Sequence, residues 1–148
     1  MQFHREQDIQ HYGIYAYGKG EITVTIPRAL EPDPPPIHEE NVEQLHVPIR
    51  RETLRRSLII MPDELIRDWE PQSFEMLRQT HFAMLADLDL ELILFGSGNT
   101  LRWPDNALLT PLIEKGVGLE VMDTGAACRT YNILQADQRR FAAALLMI

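Results

Sequence analysis

Glu91-Leu92-Ile93-Leu94-Phe95 is an unbroken apolar run that stops at Gly96-Ser97-Gly98. Asn106–Lys115 follows, with Leu108, Leu109, Leu112 and Ile113 at helical spacing and Gly116 at its end. Val117–Met122 is then a second apolar run. A short apolar run bounded by glycine reads as a buried strand, and i, i+3, i+4 spacing closed by glycine reads as an amphipathic helix. Strand, helix and strand in that order predict a parallel pair joined by a helical crossover, the unit of an α/β fold.

The pattern extends in both directions. Toward the N-terminus, Leu58-Ile59-Ile60 within Ser57–Met61 reads as a further buried strand, closed by Pro62-Asp63-Glu64. Ser73–Ala86 places Phe74, Leu77, His81, Met84 and Leu85 at helical spacing, with Ser73 positioned to cap the helix. Toward the C-terminus, Asp123-Thr124-Gly125 turns into a helix ending near Ala136. Arg140–Met147 then has no decisive period, but the short Asp137–Arg139 link favours a strand. All of these strands are expected to run parallel. Near the start of the chain, Tyr12–Tyr17 and Glu21–Ile26 flank Gly18-Lys19-Gly20, with Ile22, Val24 and Ile26 alternating with polar residues. This is the signature of an antiparallel hairpin with one buried face. The expected architecture is a mixed sheet with helices packed on it.

Residues 27–54 break the pattern. Glu31–Glu40 contains Pro34-Pro35-Pro36 among acidic residues, as an extended loop or a ligand for a proline-recognising partner would; a solvated loop is the plainer account. Val42–Ile49 could add a short strand. Arg50, Arg51, Arg55 and Arg56 form a basic cluster. It lacks a glycine loop and contains Glu52, so solvated charge ahead of a strand is preferred to an anion site.

Composition excludes several classes. A chain of 148 residues fits one domain, expected to span 1–148, with a core of its own. A net charge of −8 repels nucleic-acid phosphates and anionic membranes, so neither nucleic acid nor a membrane span is expected. The single cysteine, Cys128, allows no internal disulfide and no cysteine-rich zinc site. With no apolar leader at Met1–Asp8, the expected location is the cytoplasm. No cofactor or metal motif is found. Gly96-Ser97-Gly98 imitates a dinucleotide turn, but the third glycine of that pattern would fall at Leu101, and Asn99–Asp105 separates the turn from the next helix. No lysine follows as in a phosphate-binding loop, and the spacing is wrong for a nucleophile elbow.

Chemistry-bearing residues concentrate in Met122–Asn132. A strand ends and a helix begins here, at the sheet edge where open α/β folds place ligands. Gly125, Ala126 and Ala127 let a ligand, a helix or the sheet approach closely. Helical geometry sets Cys128, Tyr131, Asn132 and Gln135 on one face, and Ala127, Thr130 and Leu134 on another, taken as the inward one. The candidate binding residues are therefore Gly96, Ser97, Gly98, Asp123, Thr124, Cys128, Arg129, Tyr131 and Asn132. Cys128 could be a nucleophile with its pKa lowered by Arg129 and the helix end, but none of His4, His11, His38, His46 and His81 forms a motif with it. A buried structural thiol is the plainer account. Arg129 could hold a carboxylate or phosphate, or form a structural ion pair.

Leu58-Ile59-Ile60 with Pro62, Trp69, Gly96-Ser97-Gly98, Pro104, Gly116–Thr124, Ala126–Asn132 and Arg139-Arg140 together resemble a small α/β domain family of unknown function. Its mitochondrial members are assembly factors for respiratory complex I, of the factor-three type. The resemblance covers residues 56–148 well and the 9–26 hairpin more weakly. It implies a three-layer fold around a mixed central sheet, with Arg140–Met147 as a strand, and an assembly or interaction role; it implies no catalytic activity and no catalytic residue. Residues 27–54 depart from the family pattern as an insertion.

Three functions are compatible with these residues. The first is a protein-binding or assembly module. The second is a small-molecule or anion site, with or without catalysis, between Gly96–Gly98 and the Thr124 helix start. The third is a homodimer, for which exposed apolar surface would be the sign. The second loses its basis if Cys128, Arg129 and Asn132 all point into the core with satisfied hydrogen bonds and no cleft opens at Ser97.

Overall fold

The computed structural model describes residues 10–27 and 49–148. The Pro-rich 31–40 segment, and all but the last residue of the Val42–Ile49 strand, lie outside the described residues. The strands are β1 (Gly13–Gly18), β2 (Glu21–Ile26), β3 (Arg50–Leu54), β4 (Leu58–Ile60), β5 (Leu65–Ile66), β6 (Leu92–Gly96), β7 (Gly118–Met122) and β8 (Phe141–Leu145). The helices are α1 (Gln79–Ala86), α2 (Asn106–Lys115) and α3 (Thr124–Leu134).

Two sheets form. One is antiparallel, in the order β1-β2-β3. The other is mixed, in the order β5-β4-β8-β6-β7. β6 pairs parallel with both β7 and β8. β7 and β8 thus lie on opposite sides of β6, and right-handed crossovers must place the two connecting helices on opposite faces. That is the arrangement found: α2 packs with α1 on one face, and α3 on the other.

Alternation along the strands divides the core. Leu58, Ile60, Leu94, Phe141, Ala143 and Leu145 face Ile14, Ile22, Val24, Ala127, Cys128 and Tyr131. Ile59, Ile93, Phe95, Ala142 and Ala144 face Phe82, Leu85, Leu109 and Leu112. The result is three layers: α1 and α2, the five-stranded sheet, and α3 beside the three-stranded sheet.

Four expectations need correction. Not all strands after residue 56 are parallel: β4 runs antiparallel to β8 and β5. The Ser73–Ala86 helix is broken. Phe74–Met76 is a 3-10 turn, Leu77 is extended, Ser73 makes no side-chain cap, and α1 starts at Gln79. Its start is fixed by His81, whose Nδ1 accepts the Arg78 N–H at 2.9 Å; the ring proton therefore sits on Nε2, facing Glu70 Oε1 at 3.2 Å. The 117–122 run is a sheet edge rather than a buried strand. Finally, Arg50 and Arg51 lie within β3 itself, where Arg51 stacks on Tyr15; Arg55 and Arg56 pair with Glu21 and Asp68.

A bulge between Ile14 and Ala16 sets the direction of Tyr17. Without it, period-two alternation would point Tyr17 away from Ile14's side. The extra residue restores Tyr17 to the inner face, where it packs against α3.

Candidate functional site

The strand ends where a ligand was expected are tied to one another. Thr124 Oγ1, fully buried, donates to Leu146 O at 2.6 Å and accepts the Gly98 N–H at 2.9 Å. The Thr124 N–H donates to Gly98 O, the Ser97 N–H to Met122 O, and the Leu146 N–H to Gly96 O. One hydroxyl and three backbone bonds thus join the ends of β6, β7 and β8. Gly96 has no side chain because α3 begins against it: a Cβ there would lie 2.9 Å from Thr124 Oγ1 and 3.0 Å from Thr124 Cα. Gly98 sits at φ +103°, a conformation that favours glycine.

The Met122–Asn132 run clasps β1. Asp123 caps α3, its Oδ1 accepting the Ala126 N–H at 2.9 Å. At Gly125 the close approach is by Tyr17, whose ring lies 3.0 Å from the place a Cβ would take. Arg129 is exposed and donates to the Tyr17 hydroxyl. Asn132 grips the β1 backbone with both ends of its amide, donating to Ile14 O at 2.7 Å and accepting the Ile14 N–H at 3.0 Å. The Tyr131 hydroxyl and Gln135 Nε2 both donate to Tyr12 O. The inward face of α3 carries Thr124, Ala127, Cys128 and Tyr131. Cys128 thus lies in the core, whereas Thr130 is only half-buried. Burial pushes the Cys128 thiol up to about 12, a shift that Arg129 only partly offsets. The thiol is protonated at neutral pH and is no nucleophile there. Among the described residues no group of three or more His, Cys, Asp or Glu is placed to hold a metal ion.

Ser97 leads instead to a surface. Its buried hydroxyl donates to Thr100 O at 2.7 Å and accepts the Arg102 N–H at 3.0 Å. Those bonds fold Asn99–Arg102 into a tight turn, and Pro104 is buried behind it. Arg102 then reaches the Phe74–Met76 turn. Its guanidinium lies 4.1 Å from the Phe74 ring centroid and its Nη1 2.6 Å from Glu75 Oε1. This contact holds the Glu75 carboxyl below the usual carboxylate range. Around this anchor, Trp103 is 63% exposed, Leu101 56% and Met76 49%. Motif and spacing do not single out these three residues. The available signal was Trp103 in a segment without helical period, where no core face could claim it.

Comparison with known proteins places the chain. A Xenopus tropicalis protein named NADH dehydrogenase [ubiquinone] 1 alpha subcomplex assembly factor 3 is 29% identical over 89 residues, which is 59% of this chain and 48% of that protein. The Homo sapiens protein of the same name is 26% identical over 89 residues, again 59% of this chain and 48% of that one. The chain therefore spans about half the length of these relatives. A solved structure of a Bordetella parapertussis protein superposes with a TM-score of 0.70 at 27% identity, covering 93% of this chain and 97% of that one. Residues 40–146 match the family described as "Protein of unknown function (DUF498/DUF598)", and the chain belongs to that family.

Proposed function

We propose that this domain is a protein-binding module acting in assembly of a larger complex, and that it docks through Met76, Leu101 and Trp103. The observation that carries the proposal is Trp103, 63% exposed and directly following a turn that the Ser97 hydroxyl and the Arg102–Glu75 contact tie down. A large aromatic on a held backbone binds with little loop-ordering cost, and exposed apolar clusters centred on Trp and rimmed by Arg are typical binding hot spots. Relatives named as assembly factors support a partner that is a different protein, one of an assembling complex. In this reading Gly96, Ser97, Gly98 and Thr124 build the frame, and the 122–132 run anchors it; neither contacts the partner. The proposed compartment is the cytoplasm. No helix among the described residues is long and apolar enough to cross a membrane.

The test is affinity capture from the source lysate with wild type and the Leu101→Ser/Trp103→Ser variant. Both side chains are already exposed, so the variant should unfold at nearly the wild-type temperature. Proteins retained by wild type and depleted at least tenfold by the variant are the expected result, a loss of the size that truncating a hot spot produces. Equal retention by both would overturn the assignment. A shift of wild type alone to a dimer in sedimentation would replace it with self-association.

A further inference from the structure

We infer that the free edge of β7 is a second polypeptide-binding site, one that accepts an extended, cationic segment as an added strand. It shares with the Trp103 surface only the premise that the domain binds polypeptide.

Backbone direction leaves β7 paired on one side. The Gly118 N–H donates to Glu91 O on the β6 side, and Met122 O accepts the Ser97 N–H there. Backbone groups alternate sides along a strand, so Gly118, Glu120 and Met122 spend theirs on β6. The N–H and C=O of Leu119 and Val121 then point outward, and nothing among the described residues pairs with them. The β1 edge of the three-stranded sheet is treated differently. On β1, Asn132 takes both Ile14 groups, and Tyr131 and Gln135 take Tyr12 O. An edge blocked by side chains cannot template a new strand, whereas an open one can.

Chemistry decides the occupant. Glu120 is exposed in the middle of the edge and pairs with no cation among the described residues. A second copy is disfavoured. The antiparallel register that engages all four outward groups pairs Leu119 with Val121, and sets Glu120 against Glu120 of the second copy, in a closely spaced pair. An incoming segment with Lys or Arg opposite Glu120 turns that repulsion into attraction, and the net charge of −8 draws it in. On the other face of the edge, Leu119 and Val121 are half-buried beside α2. α2 packs against β7 and carries Ile113, 65% exposed. The segment that fits therefore alternates basic and apolar residues.

The experiment titrates the full chain with a blocked hexapeptide of alternating lysine and valine, following backbone amides by NMR. The expected result is a shift and slowed exchange at Leu119 and Val121. Glu120→Lys should weaken binding roughly five- to tenfold. N-methylation of the peptide's pairing edge should abolish it, while Leu101→Ser/Trp103→Ser leaves it unchanged. Absence of binding, protection elsewhere, or indifference to N-methylation overturns the inference. So does concentration-dependent protection of Leu119 and Val121 without peptide, which would make the occupant a second copy. Loss of lysate capture with intact peptide binding, or the reverse, shows which surface has failed.

Discussion

Replacing Tyr131 by alanine is expected to lower the unfolding free energy by about 4 kcal/mol. The ring is fully buried, packs at 5.3 Å on Phe141, and fills the space between α3, β1 and β8. Its hydroxyl donates to Tyr12 O at 2.7 Å. Loss of the ring leaves a cavity that the surrounding strands can close only partly, so the cost falls in the range measured for large aromatic truncations. Tyr131→Phe isolates the hydroxyl. Gln135 still donates to the same carbonyl, so no acceptor is orphaned and the loss should be only about 1 kcal/mol. Urea denaturation of the three proteins measures both steps. Equal losses in the two variants would mean that Tyr131 is a hydrogen-bonding residue first and a packing residue second, contrary to the geometry.

Gly96→Ala is expected to cost about 3 kcal/mol, although it adds a single methyl group. Leu145 Cδ2, at 2.9 Å from the new Cβ, can rotate away. The Thr124 backbone, at 3.0 Å, cannot move unless the first turn of α3 moves with it. That movement would stretch the two bonds of Thr124 Oγ1 and leave the Gly98 N–H and Leu146 C=O poorly satisfied in a buried place. Gly125→Ala is the informative contrast. There the new Cβ meets a Tyr17 ring carbon at 3.0 Å, and a partly exposed side chain can yield. Thermal denaturation should rank Gly96→Ala well below Gly125→Ala. The opposite order would show that the strand ends are not packed as described.

The elements that depend on local pattern were legible in the sequence. The β1–β2 hairpin, β4, β6 and α2 with its left-handed Gly116 all appear where period, apolar runs and glycine placed them. β8 is a strand as the short preceding link and the family resemblance implied, not as its period showed. What failed was decided by distant partners. Phe74 and Leu77, three residues apart, suit a 3-10 turn as well as an α-helix. Arg102, from a loop 27 residues later, binds Glu75 in that turn. The direction of β4 follows from its pairing with β8, and no residue in Leu58–Ile60 carries that information. β7 has the composition of an interior strand and becomes an edge only through the order of the sheet.

The candidate site divides in the same way. Gly96, Ser97, Gly98 and Thr124 do come together at the strand ends, as their positions implied, and their hydrogen bonds run to one another and to the backbone. Asn132 looked like a ligand-binding amide. Its partner is a backbone residue 118 positions away, and an amide side chain that mimics a strand is indistinguishable in sequence from one that awaits a ligand. The face of α3 containing Cys128 points inward because it packs on β6, β8 and β1, partners that helical spacing alone does not name. Trp103 carried no motif; its place in a segment without helical period was the one hint, and its exposure singles it out.

In the proposed reading the Trp103 surface meets another protein while the outer face of α3 does not. The most direct measurement places a photo-crosslinking amino acid at position 103 in the full chain, irradiates it in source lysate, and compares it with the same substitution at Ile133, equally exposed at 64% on α3. The expected result is a discrete adduct with a different protein from position 103 and none from position 133. Adducts from position 133 alone, adducts only with a second copy of this chain, or no adduct from position 103 would contradict it.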